Sequence, residues 1–302
     1  MTRTMREVFT DTVSTALDTD PRLAVVLAEI SADRLTAAAA RHPDRVLNVG
    51  IREQLMVGVA GGLALTGLRP VLHSIAPFLV ERPFEQLKLD LNHQGVGAVA
   101  VSTGAAYDYP AAGRTHMSPG DVALLDTLPG WRVHVPGHPR ELAELLPGAL
   151  HGDGLVYLRM TERENPHPMP PGLQLVRPGS RGVVLAVGPM LGPVLAAAEG
   201  LDVAVLYAST VRPFDAAGLR AAVPAGAADV VLVEPYLAGT SAHLVSEALR
   251  DVPHRLLSLG VRRDVELRSY GTAEEHEAAH GPDPAGIGAS LRAFLGAVPE
   301  RR

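Results

Sequence analysis

The chain has 302 residues, 47% hydrophobic and 20% charged, which is enough apolar material for two globular domains and excludes a disordered chain. A formal net charge of −6 and a pI near 6.0 argue against a nucleic-acid-binding surface, which needs a clustered basic face. The absence of cysteine excludes disulfides and thiolate metal sites. No apolar run reaches membrane-spanning length and no signal-peptide pattern opens the chain, so we expect a cytoplasmic protein without membrane contact.

Helix and strand patterns alternate through the first half of the chain. Apolar residues between Met5 and Leu17 share one helical face, and the run from Leu23 to Ile30 is typical of a strand buried on both sides. Further helices are predicted near 32–41, 51–66 and 82–93, with one more between the last two strands. Further strands are predicted near 45–49, 70–75, 96–101, 131–135 and 155–160. This order favours a mostly parallel sheet with helices on both faces.

A polar stretch with several prolines interrupts the alternation. We interpret residues 164–180 as a linker between a first domain, 1–163, and a second domain, 181–302. Strands are predicted in the second domain near 182–187, 202–207, 230–234 and 254–258, and helices near 192–199, 215–222, 240–250 and 284–295. The predicted fold class is therefore two α/β domains with mostly parallel sheets.

An acidic residue stands at the start of a helix that is rich in glycine. Glu53 opens the predicted helix 51–66, which contains Gly58, Gly61 and Gly62. Because glycine lowers helix stability, this run predicts that another backbone packs closely against the helix. An acid at a helix start usually indicates only a favourable interaction with the helix dipole. The role of Glu53 therefore depends on the residues around it.

Four motifs along nearly the whole chain resemble signatures of the transketolase family. They are Ala28-Glu29-Ile30-Ser31, Pro43-Asp44-Arg45-Val46-Leu47-Asn48-Val49-Gly50-Ile51-Arg52-Glu53-Gln54, Gly113-Arg114-Thr115-His116 and Thr210-Val211-Arg212-Pro213-Phe214-Asp215. The resemblance implies a pyrimidine-binding domain followed by a transketolase C-terminal domain, both of the thiamine-diphosphate fold. The family's Gly-Asp-Gly…Asn motif is not present in this sequence. The resemblance therefore implies a split enzyme, by analogy an α2β2 heterotetramer, whose N-terminal partner subunit carries the diphosphate-binding domain and the Mg²⁺ ligands.

The resemblance places the cofactor-binding residues in the first domain. In this family a buried carboxylate, here Glu53, bonds to N1′ of the aminopyrimidine ring and favours the tautomer that removes a proton from the reactive carbon. Phe78 matches the aromatic residue that stacks on this ring, and Ile75 stands where a second aromatic is usual. Glu29 and Ile30 complete the predicted cofactor contacts.

The resemblance also implies a substrate channel. His116 matches a histidine that reaches into this channel, and the long loop 104–117 would deliver it as a second catalytic residue. Arg6 and Arg159 match arginines that bind the substrate phosphate, a role that suits the planar guanidinium.

Three predicted substrate positions depart from the family pattern. Gly104 stands in place of a histidine, Ala112 in place of an aspartate, and Asp33 in place of a phosphate-binding serine. The charge of Asp33 would repel a phosphate. We therefore expect cofactor activation to be retained and sugar-phosphate recognition to be altered.

The leading functional prediction is transfer of a two-carbon ketol unit from a ketose-type donor to an aldehyde. Acyl transfer from a 2-oxo acid such as pyruvate, as in the β-subunits of 2-oxoacid dehydrogenases, is the alternative within this fold. A non-enzymatic scaffold subunit is a third possibility. His276, Glu277 and His280 also fit the His-Glu-x-x-His pattern of zinc hydrolases, although no third metal ligand follows and we expect no metal on this chain.

Overall fold

The computed structural model describes residues 3–224 and 228–296, in which the strands form two sheets. The strands are β1 Leu23–Leu27, β2 Val46–Asn48, β3 Arg69–Ile75, β4 Val99–Thr103, β5 Trp131–His134, β6 Leu155–Arg159, β7 Leu173–Arg177, β8 Val183–Val187, β9 Ala204–Ala208, β10 Thr210–Arg212, β11 Asp229–Leu237 and β12 Arg255–Val261. The orders are β10-β5-β6-β4-β3-β1-β2 and β12-β11-β8-β9-β7. Only the β10–β5 and β7–β9 pairs are antiparallel among the described strands, so the predicted fold class is confirmed.

Helices cover both faces of each sheet. They are α1 Met5–Thr19, α2 Thr36–Arg41, α3 Glu53–Leu65, α4 Phe84–Gln86, α5 Asp121–Leu125, α6 Pro139–His151, α7 Leu191–Ala197, α8 Ala216–Ala222, α9 Ala242–Ala248, α10 Ala273–His280 and α11 Pro284–Gly296. On one face of the first sheet, Phe9 of α1 and Leu146 of α6 belong to one buried apolar cluster. The cluster on the opposite face includes Met56 of α3 and continues to Leu185 in the second sheet. The two halves of the chain therefore share an apolar core.

The predicted helix 82–93 is present over residues 84–93, but it is not a regular α-helix. The short α4 continues directly into π-helical turns at Leu87–His93, and a separate π-helical segment, Pro77–Glu81, precedes it. Pro83 lies at the break, where its missing N–H cannot continue a helical hydrogen-bond ladder.

The segment that we interpreted as a linker contains a strand. Leu173–Arg177 pairs antiparallel with β9 at the edge of the second sheet. Pro171 and Pro178 lie on either side of this run and do not interrupt it, and an edge strand tolerates nearby prolines.

One of the three glycines of α3, Gly61, lies against a neighbouring backbone, as predicted, whereas Gly58 and Gly62 do not. A Cβ added at Gly61 would lie 2.5 Å from the carbonyl oxygen of Asp90, and one at Gly58 would lie 3.4 Å from its Oδ2. A Cβ at Gly62 would meet no atom within 4 Å. The close approach is therefore confirmed at Gly61, while Gly62 faces outward.

A strand from the second half of the chain completes the first sheet. Thr210 pairs with His134 and Arg212 with Val133, so β10 lies against β5. Near this junction Glu234 is buried, and its Oε1 accepts a hydrogen bond from the Ser241 backbone N–H at 3.0 Å. Burial raises the pKa of Glu234 to about 7, because desolvation disfavours the charged carboxylate.

Among the described residues, no helix combines the length and the apolar character that crossing a bilayer requires.

Candidate functional site

Three segments of the candidate site follow parallel strands and lie at the same edge of the first sheet. Residues 28–31 follow β1, residues 76–78 follow β3, and the loop 104–117 follows β4. The carboxyl ends of parallel strands are the usual place for a ligand in α/β folds, because the loops there converge. This arrangement explains how residues far apart in sequence approach one another.

Glu53 is the first residue of α3 and is only 2% exposed. Its Oε2 accepts a hydrogen bond from Nη1 of Arg82 at 2.8 Å, forming an ion pair whose arginine side chain is 38% exposed. A buried carboxylate without a partner would cost several kcal/mol, so this guanidinium stabilises Glu53 in its position. Glu53 therefore presents a buried, hydrogen-bonded carboxylate at the edge of the sheet.

Phe78 connects Glu53 to the loop that carries His116. Cζ of Arg82 lies 4.1 Å from the centroid of the Phe78 ring, a cation–π geometry. The ring of His116 is 5.0 Å from the same centroid, at an interplanar angle of 74°. The structure thus brings together Glu53, Phe78 and His116 in one cluster, in which Arg82 lies between Glu53 and Phe78.

The position between Glu53 and Phe78 accommodates a flat hydrogen-bond donor. The Arg82 guanidinium is planar, donates to the carboxylate and lies close to the aromatic ring. An aminopyrimidine ring offers the same features, since it has a flat face and nitrogen atoms that hydrogen-bond at its edge. The residues present therefore fit such a ring. Sequence reasoning missed Arg82, because the predicted helix begins at residue 82 and no helical face connects this arginine to Phe78.

The turn after β1 holds two residues in a strained conformation. Glu29 and Ser31 have φ values of 66° and 62°, which non-glycine residues rarely adopt and which are often found at functional sites. The exposed Glu29 carboxylate accepts from the Asn48 amide at 3.2 Å, and Asn48 Oδ1 accepts from the Glu29 backbone N–H. Ile30 lies between them, half-buried. The turn is therefore fixed to the end of β2.

Family models match almost the whole chain. The model described as the transketolase pyrimidine-binding domain matches residues 1–168, and the one described as the transketolase C-terminal domain matches residues 172–287. The chain belongs to the transketolase family. Its relatives include separate transketolase subunits, as the resemblance implied.

Three relatives illustrate this membership. The chain is 56% identical, over 97% of its length and 95% of the relative's, to the uncharacterized 33.6 kDa protein in the fasciation locus of Rhodococcoides fascians. It is 31% identical to the 6-deoxy-6-sulfo-D-fructose transketolase subunit SqwH of Clostridium sp. (strain MSTE9), over 85% of this chain and 84% of that one. A solved split-gene transketolase, described as an inactive β4 tetramer, has the same fold, with a TM-score of 0.82, 23% identity, and coverage of 98% and 99%.

Arg6, the first of the two arginines predicted to bind a substrate phosphate in this transketolase-family chain, is hydrogen-bonded to the strained turn. Its Nε donates to Oγ of Ser31 at 2.8 Å, and the Ser31 hydroxyl also lies 2.9 Å from Nε2 of the buried His73. Burial lowers the pKa of His73 to about 4, so this ring is neutral near pH 7. Its Nδ1 donates to the Val101 carbonyl at 2.7 Å, which leaves Nε2 to accept from the Ser31 hydroxyl. Asp33, the predicted departure, is exposed.

Arg159, the second predicted phosphate-binding arginine, lies inside the protein. Its side chain is 1% exposed, and Nε donates to Asp121 Oδ2 at 2.7 Å. Asp121 also accepts from the hydroxyl of Tyr157 at 2.8 Å, and Arg159 Nη2 donates to the Pro235 carbonyl of the second domain at 3.2 Å. In this arrangement Arg159 stabilises the packing of the two domains and does not face solvent. Its predicted contact with a substrate would require these bonds to break.

A tyrosine fills the space beside Gly104. A Cβ added there would lie 2.1 Å from Cε2 of Tyr109 and 3.2 Å from Cγ2 of Ile75, and the φ of Gly104 is 68°. The Tyr109 hydroxyl donates to Glu162 Oε1 at 2.8 Å. Sequence reasoning missed Tyr109, since nothing in the local pattern indicates that it folds back over Gly104. The third departure, Ala112, is exposed in the same loop.

The His-Glu-x-x-His run serves packing in this structure. Nε2 of the buried His276 donates to the Tyr270 carbonyl at 2.8 Å, and the ring of Tyr107 stacks on His276 and His280 with centroid distances of 5.5 and 6.2 Å. Glu277 forms an ion pair with Arg163 and is therefore not free to act as a base. Within residues 3–224 and 228–296, no group of three His, Cys, Asp or Glu side chains is arranged to hold a metal ion. The geometry does not favour the zinc hydrolase.

Proposed function

We propose that this chain is one subunit of a two-component, thiamine-diphosphate-dependent transketolase, which transfers a two-carbon ketol unit from a ketose-type donor to an aldehyde. Residues 1–163 would form its pyrimidine-binding domain, residues 164–180 a connection that contains β7, and residues 181–302 the C-terminal domain. The observation that carries the proposal is the buried Glu53 carboxylate beside Phe78, at a position that accepts a flat hydrogen-bond donor.

Each residue of the cluster has a role that its geometry supports. Glu53 would hold a proton between its carboxylate and N1′ of the pyrimidine, and its burial excludes the water that would compete for this bond. Phe78 would stack on the ring, with Ile75, Glu29 and Ile30 around it. The bound cofactor would supply the carbanion chemistry. His116, 5.0 Å from Phe78, would contact the substrate and donate or accept its protons.

The substrate end of the proposed site differs from a phosphate receptor. Arg159 is paired inside the protein, Arg6 donates to Ser31, and Asp33 adds a negative charge. Tyr109 occupies the space beside Gly104, and Ala112 offers no hydrogen bond. These features favour a donor that is not held through a phosphate group by this chain.

The partner subunit would cover the outer face of α3. Ile51, Leu55 and Leu65 are 72%, 48% and 61% exposed, and Gly62 lies between the last two on the same face. Leu55, Gly62 and Leu65 are separated by seven and three residues, which places them on one side of α3, and Ile51 lies just before the helix. Together they form an apolar strip, which burial against another chain would stabilise. We propose that a diphosphate-binding subunit, which supplies the Mg²⁺ ligands, packs here in an α2β2 heterotetramer.

The test uses the chain combined with the product of the adjacent reading frame, thiamine diphosphate and Mg²⁺. Ketose phosphates, free ketoses and pyruvate are compared as donors, with aldehyde acceptors. Glu53→Gln should assemble and yet lose nearly all turnover, because an amide cannot share the proton. Glu85→Gln is the matched control, since Glu85 is exposed and has its ion pair with Lys88 at 3.9 Å. Full activity of Glu53→Gln would refute the assignment, and turnover of pyruvate alone would favour acyl transfer.

A further inference from the structure

A side chain of the protein itself occupies the position proposed for the pyrimidine ring. Arg82 makes both contacts that the proposed function assigns to that ring: a hydrogen bond to Glu53, 2.8 Å long, and a close approach to the Phe78 ring, 4.1 Å from its centroid. Two groups cannot occupy this position at once. Either Arg82 or the ring lies between the carboxylate and the aromatic side chain.

We propose that Arg82 is a place-holder that sets the affinity of this subunit for its cofactor. It pairs with Glu53 while the site lacks a pyrimidine ring and leaves when the ring binds. This inference rests on the proposed function of the site.

The need for a place-holder follows from the burial of Glu53. The chain must fold and meet its partner before the site is complete, and a 2% exposed carboxylate without a counter-charge would destabilise the fold. Arg82 satisfies this carboxylate during that period. This pairing lowers the affinity for the cofactor, because the pyrimidine ring must replace an ion pair and a cation–π contact before it gains its own interactions.

The geometry allows the side chain to leave without a change of the backbone. The Arg82 N–H donates to the Pro77 carbonyl at 2.9 Å, and the Arg82 carbonyl accepts from the Gln54 amide at 3.4 Å. The backbone is therefore fixed at both groups. The side chain is 38% exposed, so it has a direct path into solvent. A change of rotamers is sufficient to empty the position.

The experiment measures binding rather than turnover. Isothermal titration calorimetry follows thiamine diphosphate, with Mg²⁺, into the reconstituted pair made with wild-type chain, Arg82→Met or Arg82→Gln. Arg82→Met keeps an unbranched side chain without the charge, and we expect its Kd to be about tenfold lower than that of the wild type. Arg82→Gln can still donate a hydrogen bond to Glu53, so it protects the fold and should tighten binding by a smaller factor. Lys88→Met is the matched control, because Lys88 also loses a charge but pairs with Glu85 rather than Glu53. Its Kd should equal that of the wild type.

Thermal unfolding of the same pairs gives a second readout. Without cofactor, Arg82→Met should unfold at a lower temperature than the wild type, because Glu53 loses its partner, and saturation with cofactor should raise its midpoint more than that of the wild type. Unchanged or weaker binding by both Arg82 variants would overturn the place-holder and leave the proposed function intact. Failure of the wild-type pair to bind thiamine diphosphate would overturn both.

Discussion

Two adjacent glycines of α3 allow a matched test of how this helix is positioned. A methyl group at residue 61 would lie 2.5 Å from the carbonyl oxygen of Asp90, whereas one at residue 62 would meet nothing within 4 Å. Both substitutions to alanine gain ~1 kcal/mol of helix propensity. Only Gly61→Ala must also move a backbone by at least 0.5 Å, since contacts below 3.0 Å are essentially never observed.

Such overpacking typically costs ~1–3 kcal/mol. We therefore expect Gly62→Ala to stabilise the isolated chain by ~1 kcal/mol, and Gly61→Ala to be ~1–3 kcal/mol less stable than Gly62→Ala. Urea unfolding followed by circular dichroism measures both, with unchanged slopes showing that the same surface is exposed. Because α3 begins at Glu53, a displaced helix should also weaken cofactor binding in the reconstituted pair. Equal stability of the two variants would refute the close packing of α3 against residues 87–93.

Three further perturbations test other parts of the structure. The pKa of Glu234 is raised from 4.5 to about 7, so its contribution to stability is present below pH 4.5 and is lost as the pH rises to 7. Relative to Glu234→Gln, the wild type should therefore lose about 3 kcal/mol of unfolding free energy across this range. Parallel curves of unfolding free energy against pH for the two proteins would contradict this. Leu55→Asp, on the outer face of α3, should abolish association with the partner subunit in analytical ultracentrifugation. Leu175→Asp is the control and should not, because Leu175 is 59% exposed on the edge strand β7, away from α3. Equal association of the two variants would exclude the proposed interface. Asp121→Asn leaves a buried guanidinium unpaired and should lower the free energy of unfolding in urea by ~3–5 kcal/mol. The exposed Asp251→Asn serves as its control, and similar small effects of both would show that the buried pair is not needed.

The sheets were predictable because their central strands are buried on both faces. Continuous apolar runs such as Leu23–Leu27 and Val183–Val187 have no alternation, which is the pattern that parallel sheets require. The cluster of Glu53, Phe78 and His116 followed from motif resemblance together with the convergence of loops at one sheet edge. Their roles in chemistry remain predictions.

Long-range pairing determines the features that the sequence did not reveal. The burial of Arg159 depends on Asp121, 38 residues away, and the occupation of the site by Arg82 depends on Glu53, 29 residues away. An arginine in a sequence is usually a solvated charge, and no local pattern shows which one will find a buried carboxylate. The edge strand β7 was missed for a similar reason, since it owes its regularity to hydrogen bonds with β9.

Because β10 pairs with β5, the first sheet is completed by a strand from the second half of the chain, and neither half is structurally complete without the other. Removing the second half would expose the backbone N–H and C=O groups of Trp131–His134 along an open sheet edge, a surface that readily recruits strands from other molecules. Dissection of the protein at its proline-rich connection should therefore give an aggregating fragment rather than an autonomous module. Evolutionary shuffling of the two halves would face the same obstacle, which favours their inheritance as one piece.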